Sequence, residues 1–132
     1  MFPPSAFCAR LGPEFNPVVL ERLQALDPAG KSGLVLRLFK LFVTVLDEQI
    51  GLLETALEQG SFDAVRTTAH SLRSSSLSVG AEAFSLDCQV LERAIAQGGT
   101  DPMELRRLTQ SLIHAARALR TTLAAALQDP PA

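Results

Sequence analysis

At 132 residues, 47% of them apolar, the chain is long enough for one domain with a sizeable core. A net charge of −2 leaves no basic footprint and argues against nucleic acid as a partner. Trp and Tyr are absent, and Leu and Ala dominate the apolar set, which favours helix over sheet.

In chain order, "MFPPSAFCARLG" has neither a basic n-region nor a continuous apolar stretch, so no signal peptide is expected. Residues 1–15 read as an N-terminal tail. Cys8 and Cys88 have no CxxC spacing and no ligand cluster, so the plain expectation is a reduced, cytoplasmic protein. Asn16-Pro17 is a helix cap followed by proline at the first helical position, and Val19, Leu20, Leu23 and Leu26 then share one stripe. Asp27-Pro28 ends that short helix.

A long helix follows from about Ser32 to Gln59, with Val35, Leu38, Phe39, Phe42, Val45, Leu46, Leu53 and Leu57 at period 3.6. Its most apolar run, "LVLRLFKLFVTVL" (34–46), is interrupted by Arg37 and Lys40 and falls short of a membrane span. It reads as a core helix, with no membrane as partner. Gly60 stands where a left-handed terminal residue is expected. Ser61 can cap a helix running to about Val79, where Gly80 marks a bend. The segment Ala81–Gln97 aligns Phe84, Cys88, Leu91 and Ile95, and "GG" ends it. Asp101-Pro102-Met103-Glu104 reads as a capping box opening the last helix, which continues to about Gln128.

No strand, repeat or low-complexity linker is evident. Long amphipathic helices joined by short connections imply an all-α, up-down antiparallel four-helix bundle over residues 16–128, with a short extra N-terminal helix. Residues 129–132 read as a C-terminal tail. Met1 and the "DPPA" ending lean toward a free-standing chain.

The stretch "TTAHSLRSSSLSVGAEAF" (67–84) places a histidine, an arginine and three serines inside a helix. At 100° per residue, Asp63, Arg66, Thr67, Arg73, Ser74, Leu77 and Ala81 fall on the side of His70. Val65, Ala69, Leu72, Ser75, Ser76 and Val79 fall on the other, where small serines permit close helix approach and can return their hydroxyls to the i−4 carbonyl. Neutral imidazole is a nucleophile near physiological pH, and the flanking guanidiniums of Arg66 and Arg73 suit phosphate oxygens.

The segment "AHSLRSSSLSVGAEAFSLDCQVLE" (69–92) resembles the signature of histidine-containing phosphotransfer (HPt) domains. Ala69, His70, Leu72, Ser75, Ser76, Gly80, Ala81, Cys88, Leu91 and Glu92 match it directly. The resemblance extends over most of residues 18–125. It implies that His70 is the phosphoacceptor, through Nε2 as is usual, and that Arg73 stabilises phosphoryl charge. It implies response-regulator receiver domains, or a hybrid sensor histidine kinase, as partners of a monomeric carrier in a phosphorelay. That carrier is not an enzyme and holds no cofactor of its own; the receiver supplies Mg²⁺ and the acidic catalytic residues. Arg66, Thr67 and the exposed Leu77 are then candidate partner contacts. Two residues depart from the pattern: Arg73 stands for the usual lysine and Ser74 for the usual glycine. Ser74 either hydrogen-bonds the phosphoryl group or forms a steric lip against docking. A degenerate bundle that binds a receiver or kinase without accepting phosphate is the alternative, and a structural helical module unrelated to signalling is a third.

Other signals carry less. "GKS" (30–32) lacks the first P-loop glycine, since residue 25 is Ala25, and no strand precedes it. His70 with Ser74 has no acidic third member or oxyanion elbow for a hydrolase. His114, among Arg107, Arg117 and Arg120, reads as a solvated basic face with a secondary docking role.

Overall fold

Helix boundaries follow the capping residues and glycines closely. The computed structural model describes residues 3–128, which form α1 (Pro4–Ala9), α2 (Pro17–Ala25), α3 (Leu34–Glu58), α4 (Phe62–Ser78), α5 (Glu82–Gln97) and α6 (Pro102–Ala126), with no strand among them. The expected C-terminal tail lies outside the described residues. Asn16 Oδ1 accepts from the Val18 N–H at 2.9 Å to start α2, and Asp101 Oδ1 accepts from Met103 N–H at 2.7 Å to start α6. The second half of the expected capping box is missing, because Glu104 turns one turn forward to Arg107 (Nε–Oε2 2.9 Å). That pairing holds the Glu104 carboxyl below the usual range and raises the guanidinium. Ser61 makes no side-chain cap to α4.

Gly60 and Gly80 end α3 and α4 in the same way, with φ of 68° and 79°. Ser61 N–H reaches back to Ala56 O (2.9 Å), and Ala81 N–H to Ser76 O (2.9 Å), the long bond of a Schellman motif that glycine permits without a Cβ clash. A Cβ at Gly80 would also lie 3.2 Å from Val19 Cβ, so α2 packs directly on the α4–α5 turn. The turn swings Ala81 inward to 1% exposure, and not to the His70 side as a helix continued past Val79 would have placed it.

α3 packs against α4 and α6, and α5 packs against the same two, which closes a ring of four helices around one core. Cross-links between α3 and α6 pair Asp47 with Arg120 (2.8 Å), Glu54 with Arg117 (2.9 Å) and Leu57 O with Arg106 (3.4 Å). Positions rise along α3 as they fall along α6, so this pair runs antiparallel. These ion pairs also correct the expected basic face around His114: Arg107, Arg117 and Arg120 each have a carboxylate partner. No helix among the described residues is long and apolar enough to cross a membrane.

Residues 1–15 were expected as a tail, but their described part is folded into the core. Phe7 is fully buried, its ring 4.7 Å from that of Phe39, and Phe15 flanks Phe39 from the other side at 6.3 Å. Arg10 donates to Ala126 O (3.1 Å) and Gln128 O (2.6 Å), satisfying carbonyls that α6 leaves open at its end. Burying each Phe contributes about 1.5–3 kcal/mol, enough to hold a six-residue helix whose buried stripe is only Pro4, Phe7 and Cys8.

Two buried polar groups carry consequences. Ser76 is fully buried, yet its hydroxyl has no hydrogen-bond partner and does not return to the i−4 carbonyl as expected. Thr68 and Thr109 do make that bond, to Ala64 O (2.8 Å) and Leu105 O (2.7 Å). Ser76→Ala is therefore expected to leave stability unchanged or raise it by up to about 1 kcal/mol in urea titration; a loss of similar size would show that the hydroxyl is satisfied. Burial, reinforced by the Asp87 carboxylate, pushes the Cys88 thiol up to about 12. The native thiol stays protonated, so an alkylating reagent at pH 8 should modify Cys88 only as the protein unfolds.

Candidate functional site

The 3.6-residue period of α4 buries Val65, Thr68, Ala69, Leu72 and Ser76 against the bundle. It leaves Arg66, Thr67, His70, Ser71, Ser74 and Leu77 exposed, with Arg73 half-buried. The His70 side chain is 56% exposed. α5 lies alongside because Phe84, Cys88 and Leu91 bury its inner face, and Glu92, next to Leu91, comes to the α4 edge. Ser85 Oγ donates to Arg73 O (3.3 Å), while Glu92 meets His70, so α5 rises as α4 falls.

At the centre, Glu92 Oε1 lies 2.7 Å from His70 Nδ1. Two acceptors at that separation would repel, so Nδ1 carries the hydrogen and donates it to the carboxylate. Arg73 Nη2 stands 3.4 Å from the same nitrogen, a contact that cannot be a hydrogen bond once Nδ1 is the donor. Arg73 instead serves Glu92: its Nε is 3.3 Å from Oε2, an oxygen shut off from solvent that accepts no hydrogen bond of good geometry. The chain of contacts is thus guanidinium, carboxylate, Nδ1–H, with Nε2 the ring nitrogen that no described side chain engages. A carboxylate that fixes the tautomer and can face a developing imidazolium makes the far nitrogen a ready nucleophile.

Beside the ring is an open depression of about 360 Å³ lined by Arg66, Thr67, His70, Ser71 and Glu92. Of the residues singled out in the sequence, the structure gathers His70, Arg66 and Thr67 here. Thr67 Oγ1 already donates to Asp63 O (3.1 Å), which leaves it only acceptor capacity. Arg73 sits behind, on Glu92, and Ser74 does not line the depression. Leu77, 52% exposed, lies two turns beyond His70 on the same helix. Near it, Leu38, Leu41, Phe42 and Val45 of α3 face Ser75, Ser78 and Val79 of α4 across a shallow apolar groove. The residue that sequence reasoning left without a role is Glu92. Its signal was present, since ten residues separate His70 from Gly80 and twelve separate Gly80 from Glu92. In an antiparallel pair turning at Gly80, those positions fall side by side.

The described residues thus form an all-helical domain that presents an accessible imidazole with its Nδ1 tied to a carboxylate. The family model for the Hpt domain matches residues 37–129, and the chain belongs to that family. Among solved structures it is similar to histidine-containing phosphotransfer protein B (HptB) from Pseudomonas aeruginosa PAO1. The two are 26% identical with a TM-score of 0.64, covering 84% of this chain and 94% of that one. No curated protein matches the chain.

Proposed function

We propose that this protein is a histidine phosphotransfer carrier of a two-component phosphorelay, taking a phosphoryl group on His70 from a receiver-domain phospho-aspartate and passing it to another receiver. The observation that carries this reading is the 2.7 Å contact between Glu92 and Nδ1 on an exposed ring, which engages Nδ1 and leaves Nε2 as the nitrogen available for phosphoryl transfer. In the transfer, the acyl phosphate O–P bond breaks as the Nε2–P bond forms, and the receiver's aspartate leaves as carboxylate. The ring keeps its Nδ1 hydrogen and becomes cationic, facing Glu92. Passing the group on reverses these changes. Charge on the transferring phosphoryl is managed largely from the receiver's side, where the resemblance places Mg²⁺. Membership of the Hpt family supports a carrier over an enzyme.

The architecture that suits this role is the up-down antiparallel bundle, supported by the opposed runs of α3 with α6 and of α4 with α5. A receiver docking over His70 would meet Arg66 and Thr67 on one side and Leu77 on the other.

The test is transfer itself. Incubated with a phosphorylated receiver, the wild-type chain is expected to acquire acid-labile, base-stable label. Stable binding to the receiver without any transfer of label would contradict the carrier reading and identify an adaptor.

A further inference from the structure

Two arginines flank His70, and they do different work. Arg73 lies at the Nδ1 end of the ring, 3.3 Å from Glu92 Oε2, and is half-buried there. A phosphoryl group on Nε2 projects from the opposite end, away from that guanidinium. A second cation on the open side is what the incoming anion needs.

Arg66 meets that need. It precedes His70 by one turn on the same exposed face and lines the depression beside the ring. It has no ion pair or hydrogen bond among the described residues, whereas Arg107, Arg117 and Arg120 are all paired. Of the two hydroxyls in the same depression, Thr67 donates to the backbone, while Ser71 donates to no described group and is free to turn. We propose that Arg66 and Ser71, and not Arg73 and Ser74, hold the phosphoryl oxygens once the group is on Nε2. The proposal rests on the phosphoacceptor reading of His70. It assigns Arg73 to positioning, through Glu92, and gives Arg66 a direct contact with the transferred group.

Phosphoramidate separates this role from receiver docking. Its P–N bond breaks as Nε2–P forms, and ammonia leaves with the protons already on the donor nitrogen, so no protein partner is involved. With the full chain, Arg66→Gln is expected to slow phosphohistidine formation and shorten its lifetime, together by about tenfold, as for loss of one charged donor at an open site. Arg66→Lys should recover part of the loss, and Ser71→Ala should show a smaller one. Wild-type rate and lifetime in Arg66→Gln, with the wild type labelling normally, would overturn the assignment and leave His70 as acceptor. A defect seen with a phosphorylated receiver but absent with phosphoramidate would likewise overturn it, placing Arg66 in docking. No label on the wild type from either donor would overturn the His70 reading itself.

Discussion

Replacing His70 with glutamine is expected to abolish acid-labile phosphoryl incorporation while leaving the fold intact. The imidazole is 56% exposed, and its polar contacts among the described residues are with Glu92 and Arg73, so little of the fold rests on it. Glutamine keeps a similar size and can still donate an N–H to Glu92, but it has no ring nitrogen with a lone pair to attack phosphorus. Surface substitutions of this kind usually change stability by about 0.5 kcal/mol or less. A thermal melt matching wild type, alongside complete loss of label, is the expected pair of results. Retention of acid-labile label would move the acceptor elsewhere.

Glu92→Gln is the second large effect. The carboxylate does two things: it accepts from Nδ1, and it opposes the positive charge the ring gains when Nε2 is phosphorylated. An amide can still accept from Nδ1–H through Oε1, but it loses the charge that opposes the ring's developing positive charge. It also strands the Arg73 guanidinium, which loses its anionic partner. Transfer from a receiver should fall by roughly 10–100-fold, the range found when the hydrogen-bond partner orienting a functional histidine is removed. An unchanged rate would mean that the Glu92 contact does not serve the chemistry.

Much of this protein is legible from its sequence because helix punctuation is local. Asn16, Asp101, Gly60 and Gly80 act within a few residues, and the apolar stripes of α3 to α6 need only the 3.6 period. The division of α4 into a polar face around His70 and a buried face through Leu72 is set by the same period. What was not legible depends on contacts made across the chain. Phe7 and Phe15 sit in a proline-rich segment whose helix is only six residues long, too short for its apolar spacing to stand out, and the distant Phe39 shows that they belong to the core. Ala81 follows the helix wheel outward on paper, but the left-handed Gly80 reverses its direction. The arginines near His114 look unpaired until α3 brings Asp47 and Glu54 alongside. The site divides in the same manner. His70 and the polar face could be read directly, whereas the roles of Arg73 and Glu92 required the register between α4 and α5.

The central claim is that His70 Nε2 carries the phosphoryl group while Nδ1 keeps its hydrogen against Glu92. Nitrogen and phosphorus NMR on uniformly ¹⁵N-labelled, phosphorylated protein tests it directly. The predicted result is phosphorus bonded to Nε2 of His70, with Nδ1 of the same ring protonated. Phosphorus on Nδ1, or on any other side chain, would contradict the account.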